Sequence, residues 1–139
     1  MSNLKSGSGS RLCNRVKIAA PSISNKVWAC HCSMCRGWCG GPLLSVDCGT
    51  DIVFEGEENI AVYDSLQWAE RVFCKQCGAH LFYRIKENQQ CFMPAGFFEQ
   101  DDNLELDIQV FIDEKPEYYC FSNEARKLTG EEAFAEFTP

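Results

Sequence analysis

Positive charge is in short supply. Thirteen Lys and Arg stand against 20 Asp and Glu, a formal net charge of −7, so the neutralisation of phosphates that underlies non-specific nucleic-acid affinity is poorly served. No nucleic-acid partner is expected. Long hydrophobic runs are missing as well: no window approaches the roughly 18 apolar residues of a membrane span, and residues 1–10 hold no apolar signal core. The expectation is a soluble, cytoplasmic protein that does not engage a membrane. There is no internal repeat, which excludes solenoids, and no alternation of strand and helix patterns, which excludes doubly wound parallel sheets. Helix starts are scarce too. Only Thr129, with Glu132 three residues later, makes a capping-box pattern, ahead of Ala133, Phe134 and Phe137.

What is present reads as β-structure. A length of 139 residues suits one domain that buries a core without disulfides. Residues 3–10 are rich in Gly and Ser, so 1–10 is read as a flexible lead-in and 11–139 as a single domain. Short β-type runs recur at 16–20, 26–29, 43–47, 52–54, 60–63, 71–73, 81–85, 91–94 and 104–112. The last alternates most clearly, with Leu104, Leu106, Ile108, Val110 and Ile112 on one face and Glu105, Asp107 and Gln109 on the other. Asp113-Glu114-Lys115-Pro116 makes a turn, and the run through Tyr118, Tyr119, Cys120 and Phe121 then fits either a hairpin or a loop. The fold class is mainly β, antiparallel sheets with a short C-terminal helix.

Cysteine is the one residue in excess, with ten at positions 13, 30, 32, 35, 39, 48, 74, 77, 91 and 120. In a reducing compartment, close spacings point to metal or redox chemistry ahead of a disulfide framework. Cys48, Cys91 and Cys120 lie apart among apolar neighbours and read as small hydrophobes. Ala29-Cys30-His31-Cys32-Ser33-Met34-Cys35 is different: one tight loop can aim three sulfurs at a common centre. Zn²⁺ takes thiolates readily, and the ion offsets their mutual repulsion. Iron–sulfur ligation competes with it. A second group sets the knuckle Cys74-Lys75-Gln76-Cys77-Gly78, whose glycine eases a tight turn, with the remote Cys13. A thioredoxin-type redox role lacks its βαβ frame.

Several segments act together here: Cys30-His31-Cys32-x-x-Cys35, Gly40 and Pro42, Arg71-x-Phe73-Cys74-x-x-Cys77-Gly78-x-x-Leu81-Phe82-Tyr83, and Phe111-Ile112-Asp113-Glu114-Lys115-Pro116. In combination they resemble the glutathione-dependent formaldehyde-activating enzyme family, which also contains centromere protein V. The resemblance implies a β-rich fold similar to the Mss4-like proteins, organised around a structural zinc and a catalytic zinc. It implies a carbon–sulfur lyase acting on a thiol–aldehyde adduct of the S-hydroxymethylglutathione kind, with a thiol such as glutathione and an aldehyde as partners. Cys30, Cys32 and Cys35 match the catalytic-zinc cysteines. Cys13, Cys74 and Cys77 match three of four structural-zinc cysteines, and Arg11 stands where the family has the fourth. Arginine stays protonated and cannot serve as a normal ligand. That site is then completed by water, completed by His80 or a scattered cysteine, or lost; a retained but weakened site is the reading adopted.

Three protein ligands and an open fourth position are the arrangement of catalytic zinc. Three thiolates outweigh the charge of Zn²⁺, which weakens its Lewis acidity and favours thiol capture over water activation. Arg36 and Arg71 are candidate binders of a substrate carboxylate, because guanidinium pairs with it bidentately. Against catalysis stands Cys39, four residues past Cys35, which would close the site as Cys₄ and favour a non-catalytic, zinc-folded protein-interaction module. His31, between two ligands, is read as a solvated loop histidine. Trp28 and Trp38 are read as shields of the cluster, and Gly40, Gly41 and Pro42 as a turn at its rim.

Overall fold

The computed structural model describes residues 4–9, 12–98 and 103–137. Arg11 lies outside them. The chain groups into two compact units, residues 1–25 with 46–103 and residues 26–45 with 104–139. The sequence reading was one domain over 11–139. Each unit is assembled from two separate stretches.

In the first unit, β1 (Leu4–Gly9), β2 (Lys17–Ser24) and β5 (Val53–Glu55) form an antiparallel sheet with β2 in the middle. Part of the expected lead-in is therefore a strand. Its Gly/Ser sequence has no apolar alternation to announce it, yet its backbone donors and acceptors fill a ladder as well as any others. Leu4 to Ser24 and Lys5 to Ile23 pair in step, after which Gly7 faces Ala20. Pro21 and Ser22 thus oppose a single residue, and a bulge is where a strand tolerates a proline without an N–H.

The same unit holds β6 (Ile60–Tyr63), β7 (Ala69–Cys74), β8 (His80–Ile85) and β9 (Cys91–Pro94), each antiparallel to the next as expected of a meander. Val72, Leu81, Phe82 and Met93 fill its core, and the Phe54 ring stacks 6.0 Å from Phe82. Cys48 and Cys91 are buried as small hydrophobes, and burial pushes their thiols up to about 12 and about 11. Cys120 departs from that reading: it is exposed.

In the second unit, β10 (Glu105–Val110) runs parallel to both β3 (Lys26–Cys30) and β11 (Arg126–Leu128). This corrects the purely antiparallel expectation. A long stretch of chain separates β3 from β10, and parallel pairing needs such a crossover where a hairpin does not. Both edges of β10 are taken, so the 118–121 run finds no edge and forms a loop instead of a hairpin. The alternation along β10 also fails, because a register shift between Leu106 and Ile108 is followed by Ile108, Gln109 and Val110 all buried.

Two helices complete this unit, α1 (Ser33–Cys39) and α2 (Gly130–Phe137). The capping box forms in full: the Glu132 N–H donates to Thr129 Oγ1 at 3.1 Å, and the Thr129 N–H donates to Glu132 Oε1 at 2.8 Å. That start sets Ala133 against Ile108 and Val110, with Trp28 and Cys30 packed on the same cluster and the Trp28 ring 4.6 Å from Phe137. The division between the units falls within the remaining strand, β4 (Leu43–Asp47). Among the described residues no helix is long and apolar enough to cross a membrane.

Candidate functional site

Alternation along β3 buries Val27 and Ala29 and turns Lys26, Trp28 and Cys30 to the other face. One residue further, His31 continues the buried series and Cys32 the other. The extended backbone of Cys32 (φ −66°, ψ 158°) also places it as the N-cap of α1, where its Sγ accepts the Cys35 N–H at 3.4 Å. A serine or aspartate oxygen usually takes that role. Cys35, in the first turn, thereby joins the other two, and the sulfurs of Cys30, Cys32 and Cys35 lie within 4.8 Å of one another. Zn–S bonds of about 2.3 Å in a tetrahedron hold sulfurs about 3.8 Å apart. The donor set fits zinc with at most a small contraction.

The protonation of the trio suits the same ion. Hydrogen bonding to Cys32 and Cys35, then burial, holds the Cys30 thiol protonated, whereas the bonds Cys32 receives from Cys30 and Cys35 favour its thiolate. Cys32 thus favours its thiolate beside a protonated Cys30, and metal binding to that thiol would release its proton.

His31 corrects the solvated-loop reading, with 0% of its surface exposed. Its Nε2 lies 2.9 Å from Gln109 Oε1, an acceptor, so Nε2 carries the proton; Nδ1 then accepts from the Tyr119 hydroxyl at 2.7 Å. The main chain is held as well. The His31 N–H donates to the Val110 carbonyl at 3.1 Å, and the His31 carbonyl accepts from Arg36 Nε at 2.9 Å. Burial first, and then the charges of Lys115 and Arg36, lower its pKa.

The second trio is built on a turn. Cys74 ends β7, and Gly78, at φ 79°, donates its N–H to the Cys74 carbonyl at 2.7 Å, the glycine turn that the knuckle predicts. Cys13 arrives between two residues in the left-handed region, Leu12 (φ 54°) and Asn14 (φ 60°), and sets its Sγ 3.6 Å from that of Cys74. The sulfurs of Cys13, Cys74 and Cys77 also lie within 4.8 Å of one another. Backbone N–H groups of Cys13 and Ala79 hold the Cys77 thiol down to about 7. Asn59 ties the Cys13 segment to the Cys74–Cys77 turn: its Nδ2 donates to the Arg15 carbonyl at 3.5 Å, and its Oδ1 accepts from Gln76 Nε2 at 3.1 Å. Arg15 Nη1 donates in turn to Gln76 Oε1 at 3.3 Å.

The structure therefore brings together both expected trios, each within one unit. Among the described residues no fourth cysteine, histidine or carboxylate joins either, so Cys39, at the end of α1, and His80, at the start of β8, stand outside them. Gly40 (φ 80°) caps the C-terminus of α1 through its N–H to the Arg36 carbonyl at 2.8 Å. Trp28 serves the core around Ile108, while Trp38 lies half-buried on α1. Arg36 is half-buried beside the first trio. Arg71 is in the first unit, 4% exposed, with its guanidinium 5.0 Å above the Tyr83 ring. Sequence reasoning missed Gln109 and Tyr119. A glutamine between Ile108 and Val110 was the one signal for the former, and nothing pointed to the latter.

Residues 6–114 match the glutathione-dependent formaldehyde-activating enzyme family. The chain is 34% identical over 125 residues to a Schizosaccharomyces pombe protein named as an uncharacterized lyase, an alignment covering 89% of this chain and 91% of that one. Its fold is similar to the crystal structure of a Rhodobacter sphaeroides protein, with a TM-score of 0.57 and 23% identity over 66% of this chain and 87% of the other. At that identity the likeness speaks for the fold alone.

Proposed function

The chain belongs to the glutathione-dependent formaldehyde-activating enzyme family, and on that premise we propose that it is a zinc-dependent carbon–sulfur lyase acting on a thiol–aldehyde adduct. The observation that carries the reading is the convergence of the Cys30, Cys32 and Cys35 sulfurs, with no fourth protein ligand among the described residues. The lyase name of the yeast relative supports the reaction class. A single domain that takes in β1 as well, and a cytoplasmic setting, where ten cysteines stay reduced, complete the proposal.

Zinc held by the three thiolates would supply a coordination position at which a substrate thiol is captured as thiolate. The residues of the chain do the rest. Cys30, Cys32 and Cys35 set the place at which substrate sulfur sits. Arg36 already spends its Nε on the His31 carbonyl, which orients the guanidinium and leaves its Nη pair for a carboxylate of an anionic thiol such as glutathione. Arg71, buried over Tyr83, suits that role less well, so the substrate assignment rests on Arg36. In the forward direction the thiol S–H adds across the aldehyde C=O, forming one carbon–sulfur bond with the proton on oxygen; the reverse returns thiol and aldehyde. Nothing is oxidised or reduced. Cys13, Cys74 and Cys77 would hold the second, structural zinc.

The test is turnover of glutathione and formaldehyde followed by NMR exchange between free and adduct carbon, with zinc-loaded wild type and Cys32→Ser. Loss of exchange above the uncatalysed rate in the variant, with the fold retained, is the expected result. Undiminished exchange sinks the mechanism, and a wild type that binds zinc but neither thiol nor adduct would return the chain to the interaction-module reading.

A further inference from the structure

The residue between the first two cysteines is held more completely than either of them. All four polar groups of His31 are engaged within one unit: the N–H on Val110, the carbonyl on Arg36, Nε2 on Gln109 and Nδ1 on Tyr119. The ring is fully buried, as is the Gln109 side chain at 2% exposure. Successive residues of an extended chain alternate in direction, so a ring locked into the interior obliges Cys30 and Cys32 to project on the opposite side. The angle between their sulfurs is then set by a residue that touches neither metal nor substrate.

We propose that His31 is a positioning residue for the metal site, oriented by Gln109 and by Tyr119. This rests on the zinc reading given above and extends it to the shell behind the ligands. Neither ring nitrogen is available as a ligand, since one donates to an amide oxygen and the other accepts a phenolic proton. The loop after β10 reinforces the hold. Lys115 Nζ donates to the Tyr119 carbonyl and lies 5.1 Å above the Tyr119 ring, and Glu114 Oε1 accepts the Ser33 N–H at 2.9 Å, at the first residue of α1. The 114–119 segment thereby grips the cysteine loop at its ring and at the start of its helix. Any buried imidazole needs partners for its ring nitrogens; here both come from β10 and the loop after it, so the ring ties the cysteine loop to them.

The experiment measures zinc affinity by competition with a chromophoric chelator, on the full chain, for wild type, His31→Gln, Tyr119→Phe and Gln109→Leu. Cys32→Ser and Cys74→Ser identify which of the two binding steps belongs to which trio. Unfolding in urea, with metal removed, is recorded for every variant. The expected result is a loss of roughly 10- to 100-fold at the Cys30–Cys32–Cys35 step, with the Cys13–Cys74–Cys77 step within a few-fold of wild type. Tyr119→Phe, which removes one half-buried hydroxyl, keeps the test open if His31→Gln does not fold. Unchanged affinity at both steps beside lowered stability would make His31 structural only and overturn the proposal. Equal losses at both steps would do the same. A wild type with no zinc step assignable to Cys32 would remove the metal reading and this proposal with it, an outcome distinguishable from the first two.

Discussion

Cys13 and Cys74, 61 residues apart in sequence, bring their sulfurs to 3.6 Å. At this distance a shared tetrahedral ion accommodates both with almost no movement. The knuckle 74–77 is thus completed by a residue that no local motif could connect with it.

Purified without chelator, the protein should carry about two zinc ions per chain, and Cys13→Ser and Cys32→Ser should each carry about one. Elemental analysis decides this. One ion lost only with Cys32 would mean that the Cys13 trio, with Arg11 in place of a fourth ligand, holds none.

Gly56→Ala should be among the most damaging single-methyl additions in the chain. Gly56 adopts φ +87°, and a Cβ there would meet the Arg15 carbonyl oxygen at 1.9 Å. The backbone conformation alone costs roughly 1–3 kcal/mol, and the clash pushes Arg15 away from Asn59. Urea unfolding should show the loss of stability, and zinc affinity should fall at the Cys13 trio and not at the Cys30 trio.

Alkaline destabilisation is expected from two thiols outside the metal sites. Burial raises Cys48 to about 12 and Cys91 to about 11, both above an unfolded value near 9. A raised pKa means that the folded state holds its proton more tightly. The stabilising difference is therefore fully present below about pH 9 and is lost as pH climbs through 9 towards 11–12. Urea midpoints at pH 8 and pH 10.5 should differ, and Cys48→Ala, compared at the same two values, should lose less than wild type.

Thr129→Ala should cost about 0.5–2 kcal/mol, because it removes the acceptor of the Glu132 N–H at the start of α2. Thr129→Ser should restore most of it. Thermal unfolding of the three proteins side by side is sufficient.

What the sequence made legible was whatever depends on near neighbours. The bounds of β4, β6 and β9 follow from short apolar runs, the α2 start from Thr129 and Glu132, and the Gly78 turn from the knuckle spacing. The trios were legible because thiol chemistry marks itself by type and spacing. Pairing direction was not, since a β-run such as 105–110 reads alike beside a parallel or an antiparallel neighbour. The α1 helix was missed because its cap is a cysteine and its middle holds Gly37, neither a helix signal. The burial of His31 was recoverable: extending the Val27, Ala29 alternation by two residues places it inside. Its partners were not, because Gln109 and Tyr119 are brought to it only by the parallel strand and the loop that follows.

Cys32 holds two offices at once, ligand candidate and cap of α1. Serine at this position surrenders the first and keeps the second, its hydroxyl being an ordinary acceptor for the Cys35 N–H, whereas alanine surrenders both. A reagent that alkylates this sulfur removes the thiolate and leaves a thioether, a weak acceptor, so it disarms the site and burdens the helix start in a single event. The stability gap between Cys32→Ser and Cys32→Ala, both measured without metal, is the worth of that helix start freed from any contribution of coordination.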